Sequence, residues 1–109
     1  MLKERFEDFA LRLRAEDDVA VIKRPVKAGT ELQNGSLHIT AARTIPAGHK
    51  IALHEISDGA PVKKYGQVIG FAKGGIAPGD HVHTHNVAST RGRGDLGVAS
   101  AARIAEPIE

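Results

Sequence analysis

The sequence contains no cysteine and no tryptophan, and it has only one tyrosine and three phenylalanines among 109 residues. The lack of cysteine excludes disulfides, thiolate metal sites and thiol catalysis, and it fits a reducing, cytoplasmic location. The scarcity of aromatic residues leaves valine, isoleucine, leucine and alanine to fill the core. A chain of this length is most simply one domain.

Long apolar runs are also missing, and none approaches the ~20 residues needed to cross a bilayer. The first residues carry charges of both signs, unlike a secretory signal peptide. The net charge is only +2 with the histidines neutral, and there is no basic run with interleaved aromatic residues. We therefore expect neither a membrane nor a nucleic acid as a partner. The common nucleophile, phosphate-loop, dinucleotide and metalloprotease motifs do not occur either.

A seven-residue motif recurs four times in the chain: an apolar residue, two residues, glycine, two residues and a second apolar residue. The copies are residues 26–32, 45–51, 56–62 and 76–82. Each copy is typical of a strand end, a tight turn and a strand start, because glycine supplies the positive φ that such turns need. This spacing of turns predicts an all-β domain of short strands. The alternative is a chance recurrence of glycine turns in a β protein.

Alternating apolar residues predict where the strands lie between these turns. The predicted strands are 9–14, 18–24, 36–43, 49–56, 60–66, 67–72 and 81–87. Residues 1–8 are expected to be a leader that is frayed or briefly helical. Residues 89–109 are rich in glycine, serine, alanine and arginine without strand alternation, which predicts a flexible linker or tail. The folded domain is therefore expected over residues 9–88.

The segment HVHTHN, residues 81–86, concentrates the chemistry of the chain. On a strand, His81, His83 and His85 would project from one face. Neutral imidazoles bind transition metals, but collinear ligands make an incomplete site that needs further donors, with His49 among the candidates. The alternative is an exposed polar strand face without a ligand.

Two further segments carry basic groups next to glycine. Lys64 and Tyr65 in KKYG could present an ammonium and a phenol to a carboxylate, or Tyr65 could be a half-buried strand residue with the lysines in water. In GHK, His49 and Lys50 follow a predicted turn. These two basic side chains could likewise contact a carboxylate or simply lie in water.

Taken in order, the segments GHKIAL, VKKYGQVIGFA and IAPGDHVHTHN resemble the N-terminal SAF-type domain of the altronate and galactarate dehydratase family. The resemblance covers residues 10–88 and implies a β-clip fold. The family's enzymes are hydro-lyases that convert hexonate or hexarate sugar acids to 2-keto-3-deoxy acids, and they are associated with iron(II). The ending VHxHN, more typical of altronate dehydratases, matches Val82, His83, His85 and Asn86, so the resemblance gives no role to His81.

The resemblance implies candidate functions for individual residues. His83 and His85 are the candidate metal ligands. The candidate contacts to an anionic sugar acid are Lys64, Tyr65, His49 and Asn86.

Two functions of different classes follow from the sequence. The first is an accessory domain, or a small subunit as in sulfolactate sulfo-lyase, that works with a large catalytic domain or subunit and is inactive alone. The second is a stand-alone SAF-type module that binds a carbohydrate or a protein without catalysis. Exposed strand edges make self-association a further expectation.

Overall fold

The computed structural model describes residues 3–12 and 14–89, in which short strands surround two apolar cores. The elements in chain order are β1 (Lys3–Arg5), α1 (Phe6–Phe9), β2 (Ala10–Leu11), β3 (Val19–Ile22), β4 (Glu31–Asn34), β5 (Leu37–Thr40), β6 (Lys50–Ala52), β7 (Pro61–Lys64), β8 (Gln67–Ala72), β9 (His81–Val82) and β10 (Val87–Ala88). The predicted all-β fold class is confirmed, with one single-turn helix added. The predicted tail lies outside the described residues, apart from Ser89.

The strands form three small sheets. β1, β4 and β5 make one sheet in that order, with β1 parallel to β4 and β5 antiparallel to it. β2, β3, β6 and β9 make a four-stranded antiparallel sheet, and β10, β8 and β7 make a three-stranded antiparallel one. Within the described residues, 3–12 and 14–89, no helix has the length and hydropathy needed to cross a membrane.

The repeated glycine motif is confirmed as a repeated turn. The four motif glycines, Gly29, Gly48, Gly59 and Gly79, all have φ between 84° and 89°. In each copy, the N–H of the residue after glycine donates to the carbonyl three positions earlier, at 2.9–3.2 Å. Positive φ at the third position of such a turn is the signature of type II, which explains why glycine is needed there.

The apolar residues that bound each motif are buried, at most 3% exposed. The first residues of the motifs pair across the fold, Val26 with Ile45 and Ile56 with Ile76. The first pair belongs to one core cluster and the second pair to the other. Since burial of each such side chain contributes about 1.5–3 kcal/mol, the motif supplies both the turns and much of the core.

Several predicted strand boundaries were wrong. The strand expected over 81–87 is only His81–Val82, followed by a turn and then Val87–Ala88. The strand expected over 9–14 is only Ala10–Leu11, after the helical turn at Phe6–Phe9. β4 was not predicted because three of its four residues are polar, with only Leu32 buried. Tertiary pairing overrides such weak local patterns.

Two of the turn glycines provide a matched test of this architecture. A Cβ on Gly79 would overlap the carbonyl oxygen of Thr40, whereas a Cβ on Gly59 would meet open space. We expect Gly59→Ala to destabilise the fold by about 1–2 kcal/mol through positive φ alone. Gly79→Ala should cost a further ~1–3 kcal/mol because the backbone must move. Urea denaturation of both variants measures the difference, and equal losses would contradict the packing described here.

Candidate functional site

Two of the glycine turns bring histidines from distant parts of the chain together. His49 follows Gly48 directly, and His81 begins β9 shortly after Gly79. In the β6–β9 ladder, Lys50 pairs with Val82 and Ile51 with His81, so one step further His49 lies opposite His83. The rings of His49 and His83 stack, with centroids 3.7 Å apart and an interplanar angle of 10°.

The three side chains His49, His81 and His83, here called the histidine cluster, converge on one small volume. His49 Nδ1 and His81 Nε2 share a hydrogen bond of 2.7 Å. One ring nitrogen from each of the three residues lies within 4.8 Å of the other two. His83 Nδ1 is buried and has no hydrogen-bond partner among the described residues. A buried polar atom of this kind is uncommon and calls for an explanation, such as a ligand that the site is built to hold.

The surroundings of the cluster lower the pKa values of His81 and His83. Burial is the largest cause that lowers the pKa of His81, and it also lowers the pKa of His83. The neighbouring basic groups that lower one or both of these pKa values further are His49, His85, Arg43 and Lys50. Since metal ligands and general bases act as neutral imidazoles, both chemistries are open to the cluster near neutral pH.

Asn86 holds the turn that carries His83. Its Oδ1 accepts a hydrogen bond from the backbone N–H of His83 at 3.0 Å, and its Nδ2 donates to the carbonyl of His81 at 3.0 Å. Its own backbone N–H donates to the carbonyl of His83 at 3.1 Å. The side chain therefore closes the turn that interrupts the predicted strand, which gives this candidate substrate contact a structural role.

His85 lies at the edge of the histidine cluster, exposed to solvent, because the turn at residues 83–86 breaks the alternation of a strand. Its ring centroid is 5.0 Å from that of His81, tilted by 41°. The structure thus brings the predicted residues His49 and His83 together, joins them to His81, and leaves His85 outside the group of three nitrogens. Strand alternation places His81 on the same face as His83, and the structure keeps these two side chains together.

Lys64 and Tyr65 lie at the tip of the β7–β8 hairpin. Tyr65 has φ of 55° and Gly66 has φ of 79°, as a two-residue type I′ turn requires, so Tyr65 is not the strand residue of the alternative interpretation. Lys64 Nζ is 5.0 Å from the centre of the Tyr65 ring. Gly66 N–H donates to Oδ1 of the buried Asp17 at 2.7 Å, which anchors the tip.

The hairpin tip and the histidine cluster contact different ends of β3. The backbone of Lys63 bonds to Asp18, just before β3, whereas the carbonyl of His49 accepts the N–H of Ile22 at its end. These two contacts are about 13 Å apart along the strand. Among the described residues, no hydrogen bond or ring contact joins Lys64 or Tyr65 to the histidine cluster.

An open pocket of about 230 Å³ adjoins the cluster through His83. Its polar lining residues are Lys50, His83, Thr84 and Ser89, and its apolar ones are Ile69, Val82, Val87 and Ala88. An ammonium group and an imidazole beside hydroxyl groups suit a small anionic, hydroxylated ligand.

Comparison with known proteins identifies one family. The altronate/galactarate dehydratase SAF domain matches residues 8–90, which include the whole histidine cluster. The altronate dehydratase of Escherichia coli (strain K12) is 42% identical over 76 residues, which are 70% of this chain and 15% of that protein. The chain thus spans only a small part of that relative.

A second kind of relative is much closer to this chain in length. The (2R)-sulfolactate sulfo-lyase subunit alpha of Paracoccus pantotrophus is 43% identical over 58 residues, 53% of this chain and 87% of that subunit. The corresponding subunit alpha of Chromohalobacter salexigens is 36% identical over 84 residues, 71% of this chain and 89% of that subunit.

The lowered pKa values of His81 and His83 make the stability of the metal-free fold depend on pH. Between the folded pKa values and the ordinary value of about 6.5, the unfolded chain binds more protons than the folded one. Stability should therefore be fully present above pH 7 and fall as the pH drops below about 6.5. Urea unfolding in a chelator across this range measures the effect. A double variant, His81→Gln with His83→Gln, should lose less stability on acidification, and an equal loss would contradict the assignment.

Proposed function

Because the chain belongs to the family of altronate/galactarate dehydratase SAF domains, we propose that it is the small domain or small subunit of a sugar-acid hydro-lyase. The substrate is altronate or a related hexonate or hexarate, and the product is a 2-keto-3-deoxy acid. The observation that carries the proposal is the histidine cluster beside a pocket that Lys50 and His83 help to line, within the segment that matches the family. The location proposed is the cytoplasm, which agrees with the lack of cysteine.

The reaction explains why such residues are useful. Dehydration of a sugar acid requires removal of the proton α to the carboxylate and loss of the β-hydroxyl group. The base that accepts this proton must lie beside the pocket that His83 borders, and it must be a group that does not itself bind the metal ion. Lys50, in the same lining, supplies positive charge for the substrate's carboxylate.

Iron(II) is the cofactor proposed for the complete enzyme. When bound, it supplies a Lewis acid that stabilises negative charge developing on the substrate's carboxylate. Imidazoles are suitable iron ligands, and the unpartnered Nδ1 of His83 fits this use. The pairing of His83 with His85 as ligands stays a prediction, and the exposure of His85 makes it the weaker of the two.

The proposed partner is a large catalytic domain or subunit. The open pocket and the cluster occupy one side of a small domain, so a second domain is needed to enclose the substrate and exclude water. The subunit alpha relatives, of which this chain covers 87% and 89%, favour a second candidate, the small subunit of a sulfo-lyase. Both candidates are lyases that act on a hydroxylated carboxylic acid.

The direct test combines the chain with the large domain or subunit that is fused to it or encoded beside it. We expect dehydration of altronate or galactarate, or sulfite release from sulfolactate, only when both parts are present. The double variant His83→Ala, His85→Ala should lower kcat at least a hundredfold, because His83 borders the proposed substrate pocket. The control is His38→Ala, since His38 is exposed and pairs with Glu31 instead.

Normal turnover and substrate affinity in the double variant would overturn the proposed role of these histidines. A chain that binds a carbohydrate or protein tightly alone, and supports no lyase activity with any large partner, would favour the stand-alone binding module.

A further inference from the structure

We propose that His49, His81 and His83 form a complete three-imidazole site for one divalent transition-metal ion, held by this chain alone. The site differs from the His83 and His85 pair that the sequence predicts. Its use in catalysis rests on the proposed function, whereas metal binding itself does not.

The geometry of the donors is close to what a metal requires. Ligand nitrogens about 2.05 Å from a tetrahedral ion lie roughly 3.3 Å apart. One ring nitrogen from each of the three residues lies within 4.8 Å of the others, and His49 Nδ1 and His81 Nε2 are 2.7 Å apart. An ion would replace that hydrogen bond, which needs a change of tautomer but no ionisation. The stacked rings of His49 and His83 would also have to tilt so that their in-plane lone pairs converge on the ion.

The third donor shows that the site is prepared for a ligand. His83 Nδ1 is buried without a hydrogen-bond partner among the described residues, so one ring nitrogen of the third ligand is left unsatisfied by the fold. Metal coordination would satisfy this atom. The rings of His49 and His83 stack with their centroids 3.7 Å apart, so both side chains lie on the same side of the ladder.

The backbone that carries the donors is held by specific hydrogen bonds. Asn86 binds the N–H of His83 and the carbonyl of His81, so two ligands are fixed through one side chain. On the other strand, Gly48 N–H donates to the carbonyl of Ile22 at 2.8 Å, just before His49. A site supported in this way loses little conformational freedom on binding an ion.

The donor set selects the class of metal. Three imidazoles, without a carboxylate or thiolate in the described cluster, suit Zn²⁺, Fe²⁺, Co²⁺, Ni²⁺ or Cu²⁺ rather than Mg²⁺ or Ca²⁺, which prefer oxygen ligands. Three protein ligands leave coordination positions open, as in catalytic sites. His83 also borders the pocket, so an anionic ligand in the pocket could reach the ion.

The experiment is a titration of the tag-free, metal-free chain with Co²⁺ and Zn²⁺, followed by calorimetry and, for Co²⁺, by visible absorption. We expect one ion per chain, no response to Mg²⁺, and a higher unfolding temperature with Zn²⁺. His49→Ala, His81→Ala and His83→Ala should each weaken binding at least tenfold. The matched control is His85→Ala, which should change affinity less than threefold because His85 is exposed and outside the cluster.

Absence of Co²⁺ and Zn²⁺ binding by the folded chain would overturn the site, and so would an equal loss in the His85 and His83 variants. If a variant fails to fold, the imidazole ¹⁵N signals of the unaltered chain decide the matter, because Zn²⁺ should shift the resonances of His49, His81 and His83 but not His85. Failure of the lyase assay would not affect this titration. Conversely, if the titration fails but lyase activity is lost in the His83→Ala variant, the metal site is overturned and the proposed function stands.

Discussion

The N–H of each motif glycine donates to a carbonyl in another part of the chain, and the rest of the structure depends on these four bonds. Gly29 bonds to Ala41, Gly48 to Ile22, Gly59 to Ala72 and Gly79 to Ala52, at 2.8–2.9 Å. Left-handed φ turns each N–H toward its acceptor while the flanking apolar side chains enter the core. The motif glycines therefore set the direction of the chain at each turn, hydrogen-bond distant segments to one another and position the flanking core residues.

The histidine cluster is a consequence of this arrangement. The turns at Gly48 and Gly79 start the two strands β6 and β9, whose pairing puts His49 opposite His83 and beside His81. Burial and the neighbouring basic groups then disfavour protonation of His81 and His83, so the pKa values of both fall. Neutral imidazole nitrogens can bind a metal ion, and the nearby cationic side chains suit an anionic substrate, which links the fold to both proposals.

In the segment HVHTHN, the local sequence pattern did not predict the backbone conformation. Alternation predicts one strand with three histidines on one face, but Asn86 competes for the backbone and closes a turn after Val82. His85 is thereby left outside the group of three nitrogens, with its ring 5.0 Å from that of His81. Local pattern is also insufficient at Tyr65, which the sequence allows as a strand residue but which lies in a turn with positive φ. The neighbouring Gly66 is held there by its hydrogen bond to Asp17.

By itself, the sequence determined the all-β class, the positions of the four turns, the buried residues that bound them and the family. These features follow from local rules, since glycine conformation and apolar spacing act over a few residues. Only the tertiary structure decided which histidines meet. His49 and His81 are 32 positions apart, and their contact depends on the β6–β9 register and on the turn closed by Asn86. Such a register is set by the packing of the whole domain, so no pattern within either segment could specify it.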